Sequence, residues 1–151
     1  MSQFQYIQKI NSPLDLKRIP ASSLPKVCEE YRTFLIETIS KTGGHLGASL
    51  GAVELNVALH YVLDSPNDKI CWDVGHQAYV HKMITGRRDK LNTIRQADGL
   101  SGFPSPFESV HDQFIVGHAC TAISQGLGLA TARDLQGGKE KVVVVVGDGA
   151  L

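Results

Sequence analysis

The chain has 151 residues, of which 42% are hydrophobic and 20% are charged, and its 15 basic and 15 acidic side chains cancel. This composition is that of a globular protein long enough to bury a core, and it excludes an intrinsically disordered chain. The balanced charge gives no support for a nucleic-acid or acidic-membrane surface, so neither partner is expected.

The first predicted element is an amphipathic helix over residues 24–41, where apolar side chains recur every three to four positions. Ser23 is its predicted N-cap, and Pro25 is tolerated in the first turn. The glycine-rich stretch TGGHLGASLG (42–51) ends this helix, and a second helix is predicted over 52–63. A short buried strand follows at 69–74, and then a helical segment at 78–84 and a basic turn at 86–89.

The second half of the chain begins with a long polar loop at 98–112, a length typical of functional or mobile loops. A short strand is predicted over 113–116 and a helix over 118–135, in which Gly126 and Gly128 allow close packing and which Gly137-Gly138 ends. Five valines at 142–146 form the last strand. Buried β-branched strands that alternate with helices predict an α/β fold with a parallel sheet flanked by helices on both faces, without a linker or second domain.

Three apolar runs end in Val-Gly followed by a polar residue, which is His76, His118 or Asp148. Because the carboxyl ends of parallel strands share one edge of a sheet, these side chains are expected to converge on one ligand. Helix N-termini near Ala78 and His118 favour an anion, so a phosphate compound is predicted, with Asp148 holding Mg²⁺. His45 also follows a glycine at a predicted turn, which favours a functional role.

Several other polar residues have simpler interpretations. His60 and His81 lie within predicted helices and are interpreted as structural or solvated, and His111 in the polar loop as solvated. The Arg87-Arg88 pair could bind phosphate, although exposed charge on a turn is the commoner explanation. An Asp-Gly pair alone most often forms a β-turn.

The three cysteines are widely spaced, without a CxxC pair, which predicts reduced thiols in a cytoplasmic protein. The amino-terminal residues MSQFQYIQKINSP contain no apolar segment of the kind found in secretory signals, so a cytoplasmic location is predicted.

Longer stretches of the sequence resemble 1-deoxy-D-xylulose-5-phosphate synthases, which are thiamine diphosphate enzymes of the transketolase-like group. The resemblance runs from about Ser12 to the last residue, and Gly-Asp-Gly alone would indicate only some thiamine diphosphate enzyme. The combination that separates this family from ordinary transketolases is DVGHQAY with TGRRD, TIRQ and SGFP.

The resemblance implies a series of α/β domains, of which residues 1–151 form an incomplete, amino-terminal diphosphate-binding domain without the pyrimidine-binding and carboxy-terminal domains. It implies the condensation of pyruvate with D-glyceraldehyde 3-phosphate, with release of CO₂, as the first step of non-mevalonate isoprenoid synthesis. Thiamine diphosphate and Mg²⁺ are the implied cofactors, and a homodimer is implied for a full-length chain.

The family's motifs also imply roles for individual residues. Asp148 would coordinate Mg²⁺, and His45 would face the substrates, where an imidazole can assist proton transfer. The loop around 100–110 resembles the family's mobile segment over the active site. The implied cofactor-binding residues are His76, Gly117, His118, Ala119, Gly149 and Ala150.

Two departures from the family pattern limit these expectations. Ala119 and Cys120 stand where the family usually has two serines, so only backbone contacts are expected there. The family's second metal ligand, an Asn, and its activating Glu lie outside these 151 residues, so the fragment alone is expected to be inactive. Two alternatives stay open: the amino-terminal subunit of a split transketolase, and a truncated product without catalysis.

Overall fold

The computed structural model describes residues 4–150, which belong to two compact units. The first unit comprises Met1–Val62 and His76–Gly102, and the second comprises Leu63–Gly75 and Phe103–Leu151.

The first unit is helical. Its α-helices are α1 (Pro13–Lys17), α2 (Leu24–Thr42), α3 (Leu46–Gly51), α4 (Val53–Val62) and α5 (Tyr79–Lys82). The 3₁₀ turns are Ile7–Lys9, Ala21–Ser23 and Arg88–Thr93, and Met83–Arg87 is a π turn. The predicted first helix is therefore confirmed, whereas the glycine-rich stretch after it contains a helix of its own, α3.

The core of the first unit is built around α2. Val27, Tyr31, Leu35 and Ile39 form one stripe of this helix, and each is at most 3% exposed. The three-to-four spacing places these side chains on one face, which packs against apolar side chains of α4 and α5. Burial of this stripe is the main source of stability for the helix, since tertiary packing of an amphipathic face stabilises helices in proteins more than helix propensity does.

The helix caps differ in part from the prediction. Ser23 precedes α2, but its side chain makes no capping hydrogen bond, because the chain enters the helix directly from the preceding 3₁₀ turn. The predicted cap is wrong in this respect. A side-chain cap is found instead on α1, where Ser12 Oγ accepts from the Asp15 backbone N–H at 3.3 Å and donates to Asp15 Oδ2 at 2.8 Å.

The Arg87-Arg88 pair is not exposed charge, contrary to the interpretation from sequence. Arg87 is 5% exposed, and the Arg88 side chain is 11% exposed. Arg88 Nη1 donates to the backbone carbonyls of Ile7 and Ile10, and Nη2 donates to Asn11 Oδ1 at 3.3 Å. The planar guanidinium thus fastens the amino-terminal segment to the first unit, a long-range role that the local sequence does not reveal.

The second unit contains the parallel sheet. Its strands are β1 (Lys69–Trp72) and β2 (Val142–Val145), and its helix is α6 (Ala122–Leu135), with a 3₁₀ turn at Asp148–Ala150. The two strands pair in parallel from Lys69 opposite Val142 to Trp72 opposite Val145. The predicted α/β class with a parallel sheet is confirmed.

Helix α6 packs closely on β2 through one glycine. A Cβ at Gly126 would lie 2.3 Å from Val144 Cγ2, whereas a Cβ at Gly128 would meet nothing within 4 Å. The predicted close packing is therefore confirmed for Gly126 and wrong for Gly128. The helix ends as predicted: Gly137 has φ +71°, and the Gly138 N–H donates to the Arg133 carbonyl at 2.9 Å, the Schellman arrangement.

The strand predicted over 113–116 is wrong. Within the described residues this segment pairs with no other strand, and Ile115 is 66% exposed. A four-residue run of this kind forms a strand only where a neighbouring strand satisfies its backbone.

The loop before this segment is held in place at one point. Asp112 is buried and accepts from the Ser105 backbone N–H at 2.7 Å, while Phe107 is 90% exposed.

The cysteines are free thiols, as predicted. Cys28 and Cys71 are buried, and burial raises the pKa of each to about 11, while Cys120 is exposed. None of the helices between residues 4 and 150 is long and apolar enough to cross a membrane.

Candidate functional site

Two of the predicted site histidines meet in the first unit. His45 immediately precedes α3, and His76 lies three residues before α5. Their rings meet edge to face, with centroids 5.7 Å apart. Ser49 of α3 donates from Oγ to the His76 carbonyl at 3.0 Å, which connects the two segments. The structure therefore brings together one predicted catalytic residue and one predicted cofactor-binding residue.

Tyr79 completes this cluster, and the sequence analysis missed it. The side chain is fully buried. Its Oη accepts from the His45 backbone N–H at 3.1 Å and lies 3.3 Å from His45 Nδ1. A Cβ at Gly44 would lie 2.8 Å from the same oxygen, and Gly44 has φ +139°, so glycine is required beside the phenol. The available signal was the tyrosine in DVGHQAY, three residues after His76.

The environment of His45 favours the neutral imidazole. Burial lowers the pKa of His45 below its ordinary value of 6.5, and the nearby charges of Arg95 and His76 lower it further. His76 presents a different feature: its Nδ1 is buried and has no hydrogen-bond partner among the described residues. A buried ring nitrogen of this kind is what a polar ligand atom would satisfy.

Three of the other histidines make contacts within the protein. His60 and His81 are fully buried, and Nε2 of the first lies 2.8 Å from Nδ1 of the second, with the rings stacked. The structural interpretation of this pair is confirmed, and the solvated one is excluded. In the second unit, His111 is half-buried and its Nδ1 lies 2.8 Å from Ser65 Oγ, so its predicted solvation is wrong.

A buried carboxylate occupies the N-terminus of α6 in the second unit. Asp73, which follows β1, is 1% exposed. Its Oδ2 accepts from the Cys120 backbone N–H at 3.1 Å, and its Oδ1 accepts from the N–H groups of Thr121 at 3.0 Å and Ala122 at 3.1 Å. The first N–H groups of a helix lack partners within the helix and favour negative charge. The protein's own carboxylate therefore satisfies the first N–H groups of this helix, which starts at Ala122 rather than at His118.

The turn after Asp73 is strained. Val74 has φ +56°, a conformation that a β-branched residue rarely adopts, and the Gly75 N–H donates to the Asp73 carbonyl at 2.6 Å. A Cβ at Gly75 would lie 2.5 Å from Pro104 Cδ, so the turn also lies tightly against the loop. Backbone strain of this kind costs about 1–3 kcal/mol and is concentrated at functional sites.

The predicted cofactor-binding residues of the second unit are accessible. Gly117, His118 and Ala119 are exposed. A Cβ at Gly117 would meet nothing within 4 Å, so the backbone of this turn faces open space. Contacts through the backbone N–H groups are consequently possible here without displacing a side chain.

The motif after β2 forms a tight turn with an exposed carboxylate. Asp148 Oδ1 accepts from the Gly149 N–H at 2.9 Å, and the Ala150 N–H donates to the Gly147 carbonyl at 3.0 Å. Asp148 and Gly149 are exposed, and Ala150 is half-buried. Since His76 belongs to the first unit and Asp148 to the second, the convergence of the strand ends stays a prediction.

Comparison with known proteins identifies the family. Residues 7–151 match the family model described as 1-deoxy-D-xylulose-5-phosphate synthase. The chain belongs to this family. A synthase of that name from Caldanaerobacter subterraneus subsp. tengcongensis is 60% identical over 145 residues, which are 96% of this chain and 23% of the relative. The corresponding synthase of an Anaeromyxobacter species is 61% identical, and that of Dictyoglomus thermophilum is 56% identical. The chain thus spans about a quarter of the length of the curated relatives it matches.

The residues present fit the cofactors that the family resemblance implies. Asp148 offers an exposed carboxylate oxygen, the ligand type that Mg²⁺ takes together with phosphate oxygens and water. The described residues contain no group of three or more His, Cys, Asp or Glu side chains that could hold a metal ion. The buried His76 Nδ1 is a polar atom that a bound cofactor could satisfy.

Proposed function

We propose that this chain supplies part of the active site of an enzyme that condenses pyruvate with D-glyceraldehyde 3-phosphate to 1-deoxy-D-xylulose 5-phosphate, with release of CO₂. Membership of the synthase family supports the reaction type. The structural observation that carries the proposal is the cluster of His45 and His76, in which an imidazole of lowered pKa lies beside a buried ring nitrogen that has no hydrogen-bond partner among the described residues. This product is the starting compound of non-mevalonate isoprenoid synthesis.

The proposed division of labour follows from where the residues lie. Asp148 would hold Mg²⁺, and the backbone of residues 149–150 and 117–119 would hold the diphosphate of the cofactor. His76 would contact the cofactor through its buried Nδ1, and His45 would contact the substrates. Thiamine diphosphate, when bound, supplies the electron sink that decarboxylation of a 2-oxo acid needs.

The chain's own residues supply orientation. Tyr79 accepts from the His45 backbone N–H and contacts the ring at Nδ1, and Ser49 holds the His76 segment. A side chain fixed by packing and hydrogen bonds loses little freedom when the substrate arrives, which lowers the barrier to reaction. The lowered pKa of His45 favours the neutral ring, which can form a hydrogen bond with a substrate oxygen without introducing a charge.

A chimaera tests the proposal. Residues 7–151 replace the matching segment of the Caldanaerobacter relative, to which they are 60% identical. Formation of 1-deoxy-D-xylulose 5-phosphate is measured with pyruvate, D-glyceraldehyde 3-phosphate, thiamine diphosphate and Mg²⁺. We expect activity within about tenfold of the parent and a loss of at least about a hundredfold for Asp148→Asn. Asp134→Asn, an exposed aspartate on α6, is the matched control and should leave the rate unchanged. A folded but inactive chimaera would contradict the proposal.

We also propose that the 151 residues alone do not catalyse this reaction and that the complete enzyme is a homodimer. Isothermal titration calorimetry of the isolated chain with thiamine diphosphate and Mg²⁺, followed by a pyruvate turnover assay, tests the first statement. Tight binding with turnover would refute it. Sedimentation of the chimaera tests the second, and a monomeric active chimaera would refute it.

A further inference from the structure

The phenol of Tyr79 determines where the proton of His45 resides. A phenol oxygen carries one proton and can accept further hydrogen bonds. Tyr79 Oη already accepts from the His45 backbone N–H at 3.1 Å. Among the described residues, its other hydrogen-bond partner is His45 Nδ1, at 3.3 Å. The phenolic proton therefore points to Nδ1.

The consequence concerns the tautomer of the imidazole. In the neutral ring one nitrogen carries a proton and the other accepts. If Nδ1 carried the proton, Tyr79 Oη would face two donors from His45, namely the backbone N–H and Nδ1–H. The phenolic proton of Tyr79 would then lack Nδ1 as an acceptor. With Nδ1 as the acceptor, the His45 backbone N–H, the Tyr79 hydroxyl and Nδ1 each have a hydrogen-bond partner. The ring proton then lies on Nε2.

We propose that Tyr79 is a positioning residue that holds His45 as the neutral tautomer protonated on Nε2, so that His45 serves the reaction as a hydrogen-bond donor rather than as a base. The location of the proton is independent of the reaction, whereas the role as donor rests on the proposed function. Three further observations agree. The phenol is fully buried, so water does not compete for its proton. Gly44 leaves the space that the phenol oxygen needs. Burial, Arg95 and His76 lower the pKa of His45, which favours the neutral ring.

The first test measures the tautomer directly. The 151-residue chain is labelled with ¹⁵N-histidine, and long-range ¹H–¹⁵N correlation spectra are recorded at about pH 8, where an ordinary histidine is neutral. We expect His45 to show a protonated Nε2 and an unprotonated Nδ1. His45 protonated on Nδ1 would overturn the inference. Because no ligand is added, this result does not depend on whether the chain forms part of a synthase.

A matched pair of variants tests the role of the phenol. Tyr79→Phe removes only the hydroxyl and should convert the His45 signals to a mixture of both tautomers. Tyr61→Phe removes an equivalent hydroxyl, which donates to the Ile19 carbonyl at 3.2 Å in the same unit, and should leave the His45 signals unchanged. An unaltered His45 tautomer in folded Tyr79→Phe would overturn the proposal. Signals of the buried His60–His81 pair report whether each variant is folded.

The last test addresses the role as donor, in the chimaera described above. A Gln side chain can place an N–H near the position of Nε2, and an Asn side chain near that of Nδ1. We expect His45→Gln to retain at least about tenfold more of kcat than His45→Asn, and Tyr79→Phe to lose about ten- to a hundredfold in kcat. Equal losses for the Gln and Asn variants would refute the donor role. If the chimaera is active but the Gln and Asn variants lose equally, only the donor role is refuted and the proposed function is still supported.

Discussion

Replacement of Asp73 by Asn tests whether the second unit depends on the buried carboxylate at the start of α6. The substitution keeps the size of the side chain and removes its charge. The retained oxygen can still accept from the N–H groups of Thr121 and Ala122, but the new NH₂ group would then face the Cys120 N–H, so two donors would oppose each other.

The magnitude follows from the contacts. One charge-assisted hydrogen bond to a buried group is lost, worth about 1.5–3 kcal/mol. The interaction of the carboxylate with the helix N-terminus is also lost, worth about 0.5–2 kcal/mol in a buried setting. We therefore expect Asp73→Asn to lower the free energy of unfolding by about 2–5 kcal/mol.

The assay combines urea unfolding, followed by circular dichroism, with amide hydrogen exchange. The exchange of the first amides of α6 should accelerate most, because opening of this turn is the local event. Asp134→Asn, near the other end of the same helix and exposed, is the control and should change stability by no more than about 0.5 kcal/mol. A loss below about 1 kcal/mol for Asp73→Asn, or unchanged exchange at residues 120–122, would refute the reasoning.

Three further predictions concern packing, pH and the amino-terminal segment. Gly126→Ala should destabilise the second unit by about 1–3 kcal/mol in urea unfolding, because its methyl group would meet Val144. Gly128→Ala should be neutral or stabilise by up to about 1 kcal/mol. Equal effects of the two substitutions would contradict the close approach of Gly126 to β2. The free energy of unfolding should fall as pH drops from about 7 through 6.5, since the unfolded state binds a proton at His45 more readily than the folded state. His45→Gln should remove this contribution to the pH dependence. If the free energy of unfolding of this variant changes with pH as in the wild type, the lowered pKa of His45 is contradicted. Arg88→Ala should lower the free energy of unfolding by about 2–4 kcal/mol and increase proteolysis of the amino-terminal residues. If the variant resists proteolysis as well as the wild type does, the contacts of Arg88 with the backbone contribute little.

Local and periodic features could be predicted from the sequence. The helix at 24–42 followed from its apolar spacing, and the valine strand from its composition, because burial of a regular apolar pattern determines both. The end of α6 at Gly137 followed from the conformational freedom of glycine. His45 and His76 were both predicted as site residues, since each follows glycine at a turn, but the contact between their rings was not predicted.

Other features depended on partners distant in the chain. The segment 113–116 has strand-like composition, but a strand requires a neighbour for its backbone groups, and composition does not supply one. Arg88 has the sequence environment of an exposed turn, yet its guanidinium satisfies carbonyls some eighty residues away. Gly126 and Gly128 are equivalent in sequence, and only the position of β2 distinguishes them.

The sequence by itself determined the family, the α/β class and the glycine-flanked polar residues, because motifs and periodicity are local properties of the chain. The tertiary structure alone decided which atoms meet: the Asp73 carboxylate at the start of α6, and the Tyr79 phenol at the His45 ring. Both are buried polar contacts between residues distant in the chain. Burial removes water from each group at a cost in free energy, so each needs a protein partner, which only the folded arrangement supplies.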